Sequence, residues 1–168
     1  RAETTSGDIE IFGAGRGGAT ARSTSGDISA SNVSGGTDVK TTSGDIKIAE
    51  CGGKVKAVST SGSIDVKSGK TGGGEIELKT VSEDISYASA SIPKNAIGIS
   101  TTSGDVSVAL PEKSDLDISV GTISGDINCE LPSKSMNKQD RSMEARIGAG
   151  GNSLQVKTIS GDVLIKKN

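Results

Sequence analysis

Thr41-Thr42-Ser43-Gly44-Asp45-Ile46-Lys47-Ile48 places a tight-turn signal between two arms of alternating side chains, and the same string returns along the whole chain. Its centre, Ser-Gly-Asp followed by Ile or Val, begins at Ser6, Ser25, Ser43, Ser103, Ser124 and Ser160. Two variants begin at Ser61 (Ser63 replaces the aspartate) and at Ser82 (Glu83 replaces the glycine). Successive copies are 19, 18, 18, 21, 21, 21 and 36 residues apart, a period that belongs to solenoids. The last interval has room for an extra coil or an insertion.

Residues at equal offsets from the turn should stack on one another. Four residues before the serine stand Ala2, Ala21, Val39, Ala57, Leu78, Ile99, Val120 and Val156, and two residues earlier stand Ala19, Thr37, Val55, Ile76, Ile97, Ile118 and Leu154. The motif's own Ile or Val is followed two residues on by Ile11, Ala30, Ile48, Val66, Tyr87, Val108, Cys129 and Ile165. This period of two marks an inward face on both arms. Arg22, Lys40, Lys79, Lys157, Glu10, Ser29 and Lys47 fall between and face solvent. A second inward column is hydroxylic (Thr4, Ser23, Thr41, Ser59, Thr80, Thr101, Thr122, Thr158) and can bond the turn backbone. Paired glycines at Gly17-Gly18, Gly35-Gly36, Gly52-Gly53 and Gly72-Gly73-Gly74 mark a second corner. Antiparallel hairpins would give no reason for every second corner to share a sequence; parallel coil-on-coil stacking does. The sequence therefore predicts an all-β, single-stranded β-helix (β-solenoid) of about eight coils. Residues 1–168 form one domain, with an insertion at about 133–146 as a hairpin, a short helix or a mobile loop.

Composition narrows the chemistry. No histidine occurs among the 168 residues, which removes Ser-His and Cys-His dyads and histidine zinc sites. Phe12 and Tyr87 are the only aromatics, too few for the sugar platforms of a polysaccharide-active enzyme. A net charge of −2 without a basic block excludes a nucleic-acid partner. No stretch approaches the roughly 18 apolar residues of a membrane span. Cys51 and Cys129 lie four repeats apart, about 19 Å at ~4.8 Å per coil, beyond disulfide reach. No catalytic residue and no cofactor is expected. The array Asp8, Asp27, Asp45, Asp84, Asp105, Asp126 and Asp162 is read as turn chemistry, with a metal site as the weaker alternative.

One outward column, directly before the serine, changes character. It is Thr5, Thr24, Thr42 and Thr60, then Val81, Thr102, Ile123 and Ile159. Interrupted threonines argue against ice binding. The apolar members form a stripe, and Val81, Thr102, Ile123 and Ile159 are the candidate partner surface. Met136, Met143 or Ile147 of the insertion is expected to cover part of it. Solenoid ends expose strand edges and invite self-association; Lys166-Lys167-Asn168 is read as a charged finish that protects the C-terminal end.

The repeated Thr-[Thr/Val/Ile]-Ser-Gly-Asp-[Ile/Val], with the closing run from Gly148 to Val163, resembles a bacterial adhesin-like family of unknown function with TSGDI-type repeats. It is similar also to the Toastrack-type domains of envelope-stress modules. The resemblance implies a right-handed β-helix, an extracytoplasmic location at the cell surface or in the periplasm, and no catalytic residues. It implies a binding or scaffold module whose partner is a protein or glycan of the cell envelope. The alternatives are a polysaccharide-active β-helix enzyme and the sensory domain of an envelope-stress system.

Overall fold

The computed structural model describes residues 1–69, 74–91 and 94–168, so Gly72 and Gly73 of the glycine corners lie outside the described residues. The chain alternates between two sheets. Its strands are β1 (Ala2–Ser6), β2 (Ile9–Phe12), β3 (Ala19–Ser25), β4 (Ile28–Ser31), β5 (Thr37–Lys40), β6 (Ile46–Ala49), β7 (Val55–Val58), β8 (Ile64–Ser68) and β9 (Ile76–Lys79). They continue as β10 (Ile85–Ser89), β11 (Ile97–Ser100), β12 (Val106–Leu110), β13 (Leu116–Gly121), β14 (Ile127–Cys129), β15 (Ser133–Gln139), β16 (Ser142–Ile147), β17 (Asn152–Lys157) and β18 (Val163–Lys167). No helix occurs among the described residues.

One sheet runs β1-β3-β5-β7-β9-β11-β17-β13-β16-β15 and the other β14-β18-β12-β10-β8-β6-β4-β2. Every coil-to-coil pairing is parallel, in the register of the sequence columns: Ala21 lies beside Val39, Val39 beside Ala57, and Ile28 beside Ile46. The fold is a β-solenoid. Its core is the thin space between the sheets, filled by stacked Ile, Val, Leu and Ala. Ile9, Ile28, Ile46, Ile64, Ile85, Val106, Ile127 and Val163 form one buried column. Tyr87 is fully buried in the column two residues on, and burial raises its phenol above the usual range.

The stacking order departs from the chain order at one place. Serine bridges link Ser25 to Ser43, Ser61, Ser82 and Ser103 in turn; Ser103 then meets Ser160, and Ser160 meets Ser124. The last coil of the sequence, β17 and β18, is the seventh rung, and the coil of β13 and β14 is the eighth. The 36-residue interval holds the β15–β16 hairpin, whose second strand pairs antiparallel with the far edge of β13, Met143 opposite Val120 and Ile147 opposite Leu116. With that edge taken, β17 pairs with the near edge of β13. Asp115, in the link between β12 and β13, fixes the return by accepting the N–H of Ala149 at 2.7 Å.

Three expectations are corrected by this order. Lys166 and Lys167 do not cap an end, because β18 lies between β12 and β14; Lys167 pairs with Glu112 at 2.6 Å. Cys51 and Cys129 are five rungs apart rather than four, about 24 Å, and both are free thiols. None of the three insertion residues is placed on the outward stripe: Met143 and Ile147 are buried in the core, where the hairpin closes the distal end of the solenoid, and Met136, 42% exposed on β15, lines a groove with Asp117 and Arg146. Lys138 completes that closure by donating to the Ile127 carbonyl on the edge strand β14, at 2.6 Å. At the other end β1 and β2 are the outermost strands of their sheets, and Phe12 is 75% exposed.

Ile64 sits at the middle of the stack with 0% exposure. Ile64→Asp, which places an unpaired carboxylate between the sheets, is expected to destabilise the protein by more than about 3 kcal/mol; denaturant unfolding reads the change in midpoint.

Candidate binding surface

The surface is built on the turns, and the turns are held by three repeated contacts. The first is the aspartate ladder. The N–H of Asp27 donates to Asp8 Oδ1 at 2.9 Å, that of Asp45 to Asp27 and that of Ser63 to Asp45, each at 2.8 Å. Beyond the Ser63 rung the ladder resumes from Asp84 to Asp105, Asp162 and Asp126, again at 2.8 Å. The second contact comes from the hydroxyl column. Thr41, Ser59 and Thr80 each donate to the turn carbonyl one rung back, Gly26, Gly44 and Gly62, at 3.2 Å. The Thr158 hydroxyl is buried and unpaired. The third contact joins the serine N–H of one rung to the carbonyl of the residue before the serine on the previous rung. Ser103 N–H meets Val81 O at 2.8 Å, Ser160 meets Thr102 at 2.9 Å and Ser124 meets Ile159 at 2.8 Å.

These contacts fix the outward column and order it as Val81, Thr102, Ile159, Ile123. Its side chains stay open: Val81 and Ile159 are 46% exposed and Ile123 is 57% exposed. The sequence-predicted residues therefore come together as a ridge over four consecutive rungs, about 14 Å long. Folding the last coil inward brings Ile159 directly beside both Thr102 and Ile123.

Two rows of opposite charge border the ridge. Toward the strands lie Lys79 and Lys157 on the fifth and seventh rungs, in a column aligned through Lys79, Ser100 and Lys157. Toward the turn lie the carboxylates of Asp84, Asp105, Asp162 and Asp126. Both rows were legible as columns in the sequence. Their adjacency to the ridge needed the folded corner, and the order of the last two rungs needed the pairing of β13.

The fifth rung is irregular. The turn glycines have positive φ, from +120° at Gly7 to +158° at Gly62. A Cβ on Gly26, Gly44, Gly62, Gly104, Gly125 or Gly161 would overlap the carbonyl of the turn beneath it. Glu83 occupies this position at φ +131°, a conformation that L side chains adopt only under strain. Directly below it, Ser63 leaves the N–H of Asp84 without the carboxylate that other rungs supply. Val81 is on this same rung, so the strained residue, the ladder gap and the first apolar side chain of the ridge coincide.

Ion pairs stiffen the outer face of the first sheet. Glu77 accepts from Lys79 at 2.7 Å and Lys56 at 3.0 Å, and these two ammonium groups lower its carboxyl to about 2. A separate groove of about 620 Å³ runs over β17, β13, β16 and β15, and its lining includes Asp117, Ser119, Asn137, Glu144, Arg146 and Gln155. Arg146 donates to Asp117 at 2.8 Å and holds that carboxyl below its usual range. Among the described residues, no three Asp, Glu or Cys side chains converge as a metal site. Burial raises the Cys129 thiol, which disfavours its nucleophilic form.

Residues 1–166 match the family described as Toastrack DUF4097. The chain belongs to the Toastrack family. No curated protein and no solved structure matches it. Toastrack is a family of β-solenoid repeat modules of unknown function, so membership agrees with the fold.

Two substitutions test the surface. Glu83→Gly removes the strained φ and is expected to raise stability by about 1–3 kcal/mol, read as a higher thermal midpoint; an unchanged or lower midpoint counts against strain at Glu83. Glu77→Gln tests the ion-pair cluster. Because the folded carboxyl titrates near 2, below its unfolded value of 4.5, its stabilisation is full above about pH 4.5 and fades as pH falls toward 2. The wild-type protein should lose stability across that window, and the variant should lose less.

Proposed function

We propose that this Toastrack module is a non-enzymatic binding or scaffold element of the cell envelope, of adhesin type, working at the cell surface or in the periplasm. Its partner surface is the ridge of Val81, Thr102, Ile159 and Ile123, and its ligand is a protein or glycan of the envelope. The observation that carries this reading is the ridge itself: three branched aliphatic side chains held open to solvent by backbone hydrogen bonds on every rung. In the first four rungs the same column is threonine, so the fold alone does not demand apolar residues there. Contiguous exposed apolar side chains on a rigid frame mark contact surfaces.

Catalysis is the weaker reading. The ladder carboxylates each accept a backbone N–H, save the last. In the groove, the ion pair with Arg146 keeps Asp117 ionised, unsuited to the proton-donor role that glycan hydrolysis requires. Self-association through an end would use the outermost strands of the sheets, β1 and β2 at one end and β15 and β14 at the other.

The test compares wild-type protein with a Val81→Ser, Ile159→Ser, Ile123→Ser variant on a glycan array and in pull-downs from envelope extract. The variant should keep its thermal midpoint within about 0.5 kcal/mol of stability, as surface changes do, and lose the glycan or protein that wild type retains. Equal retention by both proteins would remove the ridge from the binding surface.

A further inference from the structure

We infer that the ridge receives an α-helix lying along the solenoid axis, with apolar residues at positions i, i+7 and i+11 seated on Val81, Ile159 and Ile123. The inference rests on the ridge being the partner surface and goes on to specify the kind of partner.

Spacing selects the helix. Val81 and Ile159 are two rungs apart and Ile159 and Ile123 one rung apart, which is about 9.6 Å followed by about 4.8 Å. Along a helix, residues i and i+7 are about 10.5 Å apart, and i+7 and i+11 about 6 Å. All three point within about 20° of a common direction, because seven and eleven residues are close to two and three whole turns. The total mismatch is about 2 Å over three turns, which side-chain rotamers absorb. Position i+4 falls over Thr102, where a small or polar residue fits. An extended segment repeats a given face every ~6.6 Å, so it has a side chain near about 6.6 or 13.2 Å but none near 9.6 Å. Anchored on Val81, it misses Ile159 by about 3 Å, where the helix misses by about 1 Å, and its alternating side chains do not reach both charged flanks.

Charge selects the flanks and the direction. On the strand side the helix meets Lys79, which is shared with Glu77, and Lys157. On the turn side it meets Asp84, Asp105, Asp162 and Asp126, with Glu83 at one end. The fitting helix carries acidic residues on one flank and basic residues on the other, with the basic flank the longer. An anionic lipid surface fits poorly, since the carboxylate row would face it.

Ridge spacing and flank charge together admit only one direction. A helix with its charged flanks exchanged can satisfy the charges only by reversing, and reversal turns a wide-then-narrow spacing into narrow-then-wide. It then seats its apolar residues out of step with Ile159. Such discrimination comes as much from the rejected arrangement as from the accepted one.

The experiment is a displayed library of helical peptides of about 18 residues, or five turns, selected on wild-type protein and counter-selected on the Val81→Ser, Ile159→Ser, Ile123→Ser variant. Expected winners place aliphatic residues at i, i+7 and i+11, basic residues on one flank and acidic on the other. A synthetic winner, followed by fluorescence anisotropy, should bind at least about tenfold more weakly to Ile159→Ser and to Lys157→Glu. Its flank-exchanged analogue should lose a similar factor on wild-type protein, and added salt should weaken the complex. No enrichment over the variant, winners with strand-like alternation, or equal binding of the flank-exchanged analogue would overturn the helix. If envelope capture depends on the ridge while the library yields no helical pattern, the helix alone fails. If capture ignores the ridge, the underlying reading fails with it.

Discussion

Between one rung and the next, a peptide N–H reaches the aspartate carboxylate of the turn beneath at 2.8–2.9 Å, while a threonine or serine hydroxyl reaches the neighbouring turn carbonyl. Both bonds bring the two turns so close that a Cβ on the middle glycine would overlap the carbonyl beneath it, which is why glycine recurs there and why Glu83 is strained. Sheet pairing alone would tolerate slippage by two residues, since that preserves the inward face. The turn bonds do not, because they join one specific residue to its equivalent on the next rung. Register, rung spacing and the straightness of every outward column follow from this contact.

Those straight columns are what make the proposed binding surface possible on so plain a fold. The core is a thin space between the sheets filled by stacked aliphatic side chains, so the ridge proposed for recognition lies on the outside. A column can change character rung by rung without disturbing the core, because its backbone is already satisfied. The ridge arises in this way: threonine is replaced by valine or isoleucine at three rungs of the distal half, between a row of ammonium groups and a row of carboxylates.

Much of this was legible in the sequence. The eight turn motifs and their inward columns pointed to the solenoid and its register, since a period of two on either side of a recurring corner leaves little else to stack. Val81, Thr102, Ile123 and Ile159 were recognisable as outward residues from the same alignment. What could not be read was their order, because linear spacing carries no information about which edge of β13 the hairpin takes. Once Met143 and Ile147 pair with the far edge, β17 must occupy the near one, and the rung order changes. The expectation that those residues cover the ridge failed for a related reason. An antiparallel hairpin continuing a sheet sends its alternate side chains to the same inward face as its neighbour, so the apolar ones enter the core.

The intercalated last coil sets the order in which the molecule can be assembled. A simple solenoid can add rungs as its chain is made, each new coil resting on a finished one. Here the coil of β13 and β14 must wait beside a vacant slot one rung wide until β17 and β18 are available, and the contacts that fill the slot join residues 57 positions apart at Asp105 and Asp162. A chain interrupted shortly before its final coil would not be a slightly shorter rod. It would lack the rung that joins β11 to β13 and that places Ile159 between Thr102 and Ile123. The distal half therefore depends on β17 and β18 for the continuity of both sheets.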